Sequence, residues 1–309
     1  MKTILITGIN GFIGEYLGKK FIKYNNIIGI DCRENKRNNW NKFYHFDIRN
    51  KNEMEMIFKE NKIDIVIHLA AEKTLIKCQE NKKEAYEINY ISSINLYEIA
   101  KKNKSKFIFI SSDQVFDGKK GNYRENDKCS PINYYGELKT KVEEYMLNDS
   151  LYNNYTICRT ALDFWKIPLV QKDSFDKIKE NDKLLVQGFI VEHVIYKLKK
   201  KEKIILPENE FMNPTSLELF FRQLKSIIDK DLKGILHCCG GERISRYDFG
   251  KKIAQTFNLD HSFISPEDSK DILRPKDVSF NTEISEVKIG FKYDNIKQML
   301  VKLKKNLEE

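Results

Sequence analysis

Residues 7–14 read TGINGFIG and carry three glycines spaced G-x-x-G-x-x-G between a short apolar run and an amphipathic stretch. Gly8 permits a tight turn, Gly11 lets backbone approach a pyrophosphate, and Gly14 lets the following helix pack closely on the strand. The start of that helix offers backbone N–H groups and the positive end of its dipole to phosphates. The segment therefore predicts a dinucleotide-binding turn between a first strand and a first helix.

Short apolar runs alternate with longer amphipathic stretches through the first half of the chain. The predicted strands are Thr3–Thr7, Ile27–Asp31, Lys42–Phe46, Ile63–Leu69, Lys106–Ser111 and Tyr155–Arg159. The predicted helices are Gly11–Tyr24, Asn50–Glu60, Lys82–Lys102 and Ile132–Leu147. Several strands are continuous Ile, Val, Leu and Phe runs, which is typical of strands covered on both faces. The alternation predicts an α/β fold with a Rossmann-like, doubly wound parallel sheet.

The pattern becomes less regular after Arg159. It predicts helices at Phe189–Lys201, Ser216–Asp229 and Arg246–Phe257, and strands at Lys203–Leu206 and Gly234–Cys238. We expect residues 1–160 to form a dinucleotide-binding Rossmann domain. Residues 161–309 are expected to form mainly a smaller C-terminal substrate-binding lobe, with elements within about residues 184–240 returning to the sheet.

The composition is that of an ordinary globular protein and excludes several function classes. The chain has 309 residues, of which 41% are apolar and 32% charged. No apolar run approaches the roughly 20 residues that span a bilayer, and no signal segment precedes the first strand, so we expect a cytoplasmic protein without membrane contact. The net charge of +9 is spread along the chain, so no nucleic-acid partner is expected. The six cysteines form no C-x-x-C pair, which argues against a metal site.

Acids at two strand ends extend the predicted cofactor site. Asp31 lies 23 residues beyond Gly8 (31 − 8), close to the usual position of a ribose-binding acid. Asp47 and Ile48 follow the third strand, where an acid and an apolar residue can hold an adenine. A helix cap at Asp47 is the competing interpretation.

The fourth strand ends in Leu69-Ala70-Ala71, small or apolar residues against which a cofactor can lie. His68 precedes them and is interpreted as a core histidine rather than a catalyst.

The loop after Asp31 carries opposing signals on cofactor choice. The Asp31 carboxylate favours NAD because it accepts ribose hydroxyls and repels a 2′-phosphate. Arg33, Lys36 and Arg37 follow closely and favour NADP, although a solvated basic loop is the alternative. Because the two effects are similar in size, we expect use of both NADH and NADPH.

A serine, a tyrosine and a lysine suit carbonyl reduction. Ser112 ends the fifth strand, and Tyr135 and Lys139 stand at i and i+4 of a predicted helix, so they share one face. Tyr135 can protonate the alkoxide that hydride delivery creates, and Ser112 can hold the carbonyl oxygen. We expect the Lys139 ammonium and an oxidised nicotinamide to lower the pKa of Tyr135 toward the working range.

With these residues in place, the chain resembles the extended short-chain dehydrogenase/reductases, and within them most closely the dTDP-4-dehydrorhamnose reductase group. Residues 110–118 read ISSDQVFDG, similar to that group's S-T-D-Y-V-F-D-G. Its Y-x-E-x-D and P-x-N-x-Y-G spacings recur over residues 123–136, its N-P-T turn at residues 213–215, and its R-P loop at residues 274–277.

The resemblance implies an NAD(P)H-dependent reductase of the 4-keto group of a nucleotide-diphosphate 6-deoxysugar. It implies catalysis by Ser112, Tyr135 and Lys139, and contact of Ser112 and Asp113 with the sugar. Pattern and resemblance together give the cofactor site as Gly8, Asn10, Gly11, Phe12, Ile13, Gly14, Asp31, Arg33, Asp47, Ile48, Leu69, Ala70, Ala71, Glu72, Lys73, Tyr135 and Lys139.

Other functions stay open beside reduction. The regulatory β subunits of methionine adenosyltransferase share this fold and a very similar S-S-D-Y-V-F-D-G segment, and they act by binding a partner enzyme. A sugar-nucleotide epimerase is a further alternative. Dehydratases of the superfamily place an Asp-Glu pair after the serine or threonine, whereas this chain has Asp113-Gln114, which argues against dehydration.

Residues 159–165 read RTALDFW where the reductase group often has R-T-S-W-V-Y-G. Leu162 stands in the place of the substrate-facing tryptophan, so the sequence does not identify the sugar. A homodimer is possible, and the oligomeric state is left open.

Overall fold

The computed structural model describes residues 1–34, 39–161 and 190–308. The strands of its first half are β1 Thr3–Thr7, β2 Asn26–Asp31, β3 Lys42–His45, β4 Ile65–His68, β5 Lys106–Ser112 and β6 Tyr155–Thr160. The helices between them are α1 Phe12–Phe21, α2 Lys51–Glu60, α3 Leu75–Glu80, α4 Lys82–Tyr86, α5 Ser92–Lys102 and α6 Tyr134–Leu147.

Shorter strands and further helices make up the rest of the described chain. The strands are β7 Ile204–Pro207, β8 Phe211–Met212, β9 Gly234–His237, β10 Ile244–Ser245 and β11 Ile264–Glu267. The helices are Ile190–Lys199, Leu217–Asp229, Arg246–Thr256, Glu283–Ile289 and Ile296–Glu308.

Seven strands form one sheet in the order β3-β2-β1-β4-β5-β6-β9. The pairs β1–β2, β1–β4, β2–β3 and β4–β5 are parallel. Every residue of β4 and of β5 is buried, as the apolar runs within both strands predict. The strand order reverses direction at β1, and in such sheets ligands bind beyond the carboxyl ends of the strands at that point. The predicted Rossmann-like sheet is confirmed.

The predicted elements of the first half are confirmed to within a few residues at their ends, but the structure differs from the prediction in two places. The short helix α3 was not predicted, and the third predicted helical stretch is interrupted. The predicted helix Lys82–Lys102 contains a π-helical turn, Glu87–Ile91, between α4 and α5. A π turn inserts an extra residue into the helical repeat and rotates the part of the helix after it. Periodicity alone does not reveal it, because the apolar pattern continues on either side.

The chain divides into two compact units. The first comprises residues 1–115, 129–159 and 225–236 and contains most of the large sheet. The second comprises residues 116–128, 160–224 and 237–309, and holds the small sheets β8–β10 and β7–β11. Among the described residues, no helix combines the length and the apolar character that crossing a membrane requires.

Candidate active site

The glycine turn between β1 and α1 is closed by its own backbone. Gly8 has a φ of +68°, in the left-handed region that favours glycine, and its N–H donates to the Ile30 carbonyl at 2.8 Å. The Gly11 N–H donates to the Gly8 carbonyl at 2.9 Å. A Cβ on Gly8 would lie 3.1 Å from the Ala70 backbone, so this turn touches the segment that follows β4.

Gly14 is required for a different contact from the one that the sequence predicted. A Cβ at Gly14 would collide with the Gly8 carbonyl and lie 2.6 Å from the Cα of Ile9. The close approach is therefore between α1 and the turn itself, not between α1 and the strand. No side chain caps α1 at Gly11, and Phe12 and Ile13 begin the helix partly exposed. Such a helix start can receive an anion.

The Asp31 carboxylate is buried at the end of β2 and is fully engaged. It accepts the backbone N–H groups of Asn10 and Arg33, each at 2.9 Å. It also accepts both Nε and Nη2 of the Arg33 guanidinium, at 2.9 and 3.1 Å. The Arg33 side chain is 60% exposed, so its positive charge remains accessible to solvent although it is bound to Asp31.

The Arg33 guanidinium also lies beside the glycine turn, since a Cβ on Gly11 would be 3.3 Å from its Nη2. The hydrogen bond with Asp31 raises the pKa of Arg33 above its ordinary value. Lys36 and Arg37, the other predicted phosphate-binding residues, lie outside the described residues.

Asp47 and Ile48 differ in their surroundings. Both carboxylate oxygens of Asp47 bind the Arg49 guanidinium, at 2.9 and 2.7 Å, and this hydrogen bonding lowers the pKa of Asp47. The alternative interpretation of Asp47 as a helix cap is wrong, because Asn50 caps α2 by accepting the N–H of Glu53. Ile48 is buried and packs in the hydrophobic core beside the sheet.

The segment after β4 is held at both of its ends by buried side chains. The N–H groups of Leu69 and Ala70 donate to Thr7 Oγ1, at 3.2 and 3.1 Å. Glu72 exchanges two hydrogen bonds with the Asn89 amide: its N–H donates at 2.9 Å and its carbonyl accepts at 2.8 Å. Ala71 lies between these anchors and is partly exposed, and the next residue after Glu72, Lys73, is exposed.

Ser112 and Asp113 stand buried where β5 ends, and a chain of amides ties them to the start of α6. Ser112 Oγ donates to Asp113 Oδ1 at 2.9 Å, and Gln114 Nε2 donates to the same oxygen at 3.0 Å. Asn133 Nδ2 donates to Gln114 Oε1 at 3.1 Å, while Asn133 Oδ1 caps α6 by accepting the Gly136 N–H at 2.8 Å. These contacts set the position of α6 relative to the end of β5.

Tyr135 and Lys139 lie on one face of α6, as their spacing predicts, and that face meets Ser112. Lys139 is 3% exposed, its Nζ donates to the Ile110 carbonyl at 2.9 Å, and it stands 5.8 Å from the centre of the Tyr135 ring. Ser112 hydrogen-bonds with Tyr135, which lowers the pKa of the tyrosine. The three predicted catalytic side chains are therefore brought together.

The net effect on Tyr135 is opposite to the expected lowering of its pKa. Burial and the charge of Asp113 raise the pKa of Tyr135 and outweigh the effect of its hydrogen bond with Ser112. Burial also lowers the pKa of Lys139, to about 8. The groups of the chain itself therefore do not lower the pKa of Tyr135, because desolvation is the largest effect on it. The lowering expected from an oxidised nicotinamide stays a prediction. At neutral pH, Tyr135 is therefore protonated and Lys139 is mostly in its charged form.

A buried ion pair behind this face was not predicted. Glu143 and Arg159 are 1% and 2% exposed, and Arg159 Nη2 donates to Glu143 Oε2 at 2.7 Å. Ser111 Oγ also donates to Glu143. The position of Glu143, four residues beyond Lys139, was the available signal, since it continues the same helix face. In the described parts of the chain, no cluster of three or more His, Cys, Asp or Glu residues could hold a metal ion.

The chain is similar to proteins of known sequence and structure. A family model described as the RmlD substrate binding domain matches residues 1–308. The methionine adenosyltransferase 2 subunit beta of Bos taurus is 26% identical over 271 residues, covering 86% of this chain and 75% of that protein. Two similar solved structures are dTDP-4-dehydrorhamnose reductases.

The first, from Clostridium acetobutylicum, has a TM-score of 0.81 and 26% identity, and the match covers 99% of this chain and 100% of that chain. The second, from Bacillus anthracis in complex with NADP, has a TM-score of 0.80 and 23% identity, with 99% of each chain covered.

Proposed function

Since the chain belongs to the RmlD substrate-binding family, we propose that it is an NAD(P)H-dependent reductase of the 4-keto group of a nucleotide-diphosphate 6-deoxysugar. The proposal rests on one observation: the side chains of Ser112, Tyr135 and Lys139 lie close together at the end of β5. Each of these groups has a separate task in reducing a carbonyl. Similarity to a reductase at 26% identity over nearly the whole chain supports the substrate class.

Tyr135 is the proposed proton donor. The hydroxyl of a tyrosine is protonated at neutral pH, and the raised pKa of Tyr135 strengthens that preference, so the side chain holds a proton for an alkoxide oxygen. Ser112 donates its hydroxyl proton to Asp113 in this structure and can turn it to a carbonyl oxygen instead. The buried Lys139 ammonium faces Tyr135 and stabilises the tyrosinate left after the proton has moved.

The glycine turn and its neighbours fit a nicotinamide dinucleotide. The left-handed Gly8, the contact of Gly8 with Ala70 and the uncapped start of α1 leave backbone, not side chains, facing the place where a pyrophosphate would bind. Asp31 and Arg33 stand beside this turn, and residues 69–73 follow the adjacent strand. A reduced nicotinamide, when bound, supplies the hydride.

Gln114 favours simple reduction over dehydration. The amide is fixed on both sides, donating to Asp113 and accepting from Asn133. It has no proton to exchange, whereas removal of water needs an acid or base at this position. An epimerase remains an alternative because it uses the same tyrosine and lysine.

A regulatory role is the second candidate, and it is favoured by the similarity to methionine adenosyltransferase 2 subunit beta over 86% of this chain. In that case the site would bind a cofactor while a partner enzyme is bound elsewhere on the chain. The two candidates differ in whether cofactor is consumed.

The test is a panel of nucleotide-linked 4-keto sugars with the purified protein, followed by the absorbance of NADH and NADPH. We expect at least one member of the panel to be reduced, at a turnover of the order of 1 per second or faster. An epimerase would interconvert 4-hydroxy sugars without net consumption of cofactor. Tight NADPH binding with no turnover on any member would contradict the reductase and favour the regulatory role.

Cofactor choice is predicted to be set by the Asp31–Arg33 pair. We expect wild-type protein to use both NADH and NADPH, with a preference below about a hundredfold, because the Arg33 guanidinium can move from Asp31 to a 2′-phosphate and leave the carboxylate to accept ribose hydroxyls. Arg33→Ala frees the Asp31 carboxylate and should shift the ratio of dissociation constants toward NADH. Asp31→Ala removes the repulsion of a 2′-phosphate and should shift it toward NADPH.

Calorimetric dissociation constants for both cofactors decide the matter. Arg49→Ala is a matched control, since Arg49 forms a similar pair with Asp47 at the end of the next strand. The control should leave the NADH-to-NADPH ratio unchanged. If the ratio of the NADH and NADPH dissociation constants also stays unchanged in Asp31→Ala and in Arg33→Ala, this pair does not set the cofactor choice.

A further inference from the structure

His68 is fully buried at the end of β4 and is absent from the proposed chemistry. It lies near the Phe107 and Phe109 rings of the neighbouring strand β5, with ring centres 5.9 and 6.0 Å away. Its two ring nitrogens nevertheless both have hydroxyl partners, Thr7 Oγ1 at 2.8 Å from Nδ1 and Ser93 Oγ at 2.8 Å from Nε2. An aromatic pocket alone would not require two polar contacts.

The hydrogen-bond partners determine which ring nitrogen carries the proton. Ser93 Oγ donates its only proton to the Asn89 carbonyl at 2.8 Å, so it can only accept from His68. His68 Nε2 must therefore carry the hydrogen, and Nδ1 must accept the proton of Thr7 Oγ1. Burial and the charge of Lys139 lower the pKa of His68 to about 3, so the ring is neutral at physiological pH.

The orientation of Thr7 follows from that tautomer. With its proton directed at His68, Thr7 Oγ1 has its lone pairs free to accept the N–H groups of Leu69 and Ala70. On the other side of the ring, Ser93 binds the carbonyl of Asn89, whose side-chain amide pairs with the backbone of Glu72. One imidazole thus links the two anchors of the segment Leu69–Glu72.

We propose that His68 is a positioning residue, which as the neutral Nε2–H tautomer aligns Thr7 and Asn89 and thereby fixes the segment Leu69–Glu72 for cofactor binding. The second half of this statement rests on the proposed function, because that segment is assigned to the cofactor there. The first half concerns only the protein and holds with or without a nicotinamide. A purely space-filling histidine would need neither a fixed tautomer nor two oriented hydroxyl partners.

Two substitutions by amide residues test the hydrogen bonds of the two ring nitrogens one at a time. His68→Asn places a carbonyl oxygen near the position of Nδ1 and keeps an acceptor for Thr7. His68→Gln places an N–H near the position of Nε2 and keeps the donor to Ser93, but leaves Thr7 without its acceptor. Both replace an aromatic ring by a primary amide, so general loss of packing is similar in the two.

The first measurement is amide hydrogen exchange of Leu69 and Ala70, together with the ring ¹⁵N shifts of His68. We expect a neutral Nε2–H ring in the wild type, and exchange at least about tenfold faster in His68→Gln than in His68→Asn. Thr7→Val, which keeps the shape but removes the acceptor, should also accelerate exchange by about tenfold or more, and Thr7→Ser should not. A protonated ring, a proton on Nδ1, or equal exchange in the two histidine variants would overturn the proposal.

The second measurement is the dissociation constant of NADPH for the same proteins. We expect His68→Gln and Thr7→Val to bind about tenfold more weakly or worse, and Thr7→Ser to stay within about threefold of wild type. His68→Asn keeps the contact with Thr7 but loses the donor to Ser93, so its dissociation constant should fall between those of wild type and His68→Gln. If wild-type protein binds neither NADPH nor NADH while exchange follows the expected order, the proposed function fails and the positioning role stands. If the wild type binds cofactor and all four variants bind equally well, the positioning role fails.

Discussion

Tyr135→Phe is expected to lower turnover of a 4-keto sugar nucleotide by about 10²–10⁴-fold, because the substitution removes the proton donor, together with its hydrogen bond to Ser112, and keeps the ring. The ring of Tyr135 packs against a small cluster that includes Cys78 and Leu138, and phenylalanine keeps that contact. We therefore expect the dissociation constant of NADPH and the unfolding midpoint to stay close to the wild-type values. Stopped-flow reduction with saturating NADPH measures the effect.

The adjacent Tyr134 provides a matched control. It lies on the same helix and packs against the same cluster, but its ring stands under the Lys82 ammonium, 5.2 Å from the ring centre, rather than beside Lys139. Tyr134→Phe removes a hydroxyl of the same kind and should leave turnover within about threefold of wild type. Tyr135→Phe with a rate close to that of Tyr134→Phe would rule out Tyr135 as the acid.

Glu143→Ala should destabilise the first unit by about 3–5 kcal/mol, since it leaves the Arg159 guanidinium buried without its counter-charge. Arg159 is 2% exposed and gives both Nε and Nη2 to this carboxylate. Arg159→Met leaves the opposite buried charge and should cost a similar amount. Urea unfolding followed by circular dichroism measures both.

The surface pair Glu137–Lys141 on the same helix is the control for this prediction. Its side chains are 47% and 42% exposed and approach to 2.8 Å. Exposed pairs at i and i+4 contribute little, so Glu137→Ala should cost less than about 1 kcal/mol. A cost for Glu143→Ala as small as that for Glu137→Ala would mean that the Glu143–Arg159 pair is not held as buried charges.

The first strand, the glycine turn and the first helix could be predicted together because their determinants are local. Gly8 in the left-handed region, the apolar run of β1 and the amphipathic α1 all lie within residues 3–21. The same holds for Tyr135 and Lys139, since i and i+4 positions share a helix face whatever surrounds them. The resemblance to the extended short-chain dehydrogenase/reductases is confirmed by family membership.

Elements set by distant contacts escaped prediction. The helices Glu283–Ile289 and Ile296–Glu308 and the two-residue strands β8 and β10 were not predicted. Short strands carry too few residues to show a period, and β8 exists because β10 pairs with it. The π turn Glu87–Ile91 likewise escaped, although it carries the Asn89 side chain that binds Glu72.

The sequence by itself determined most strands and helices of the first half, the glycine turn and the residue types of the site, because backbone conformation and side-chain spacing act over a few residues. Only the tertiary structure decided the charge states and partners of those residues. Burial raises the pKa of Tyr135, whereas the sequence predicted that Lys139 and an oxidised nicotinamide together would lower it. Glu143 forms an ion pair with Arg159, which lies sixteen residues further along the chain. Desolvation depends on everything that surrounds a group, and no local pattern in the chain records it.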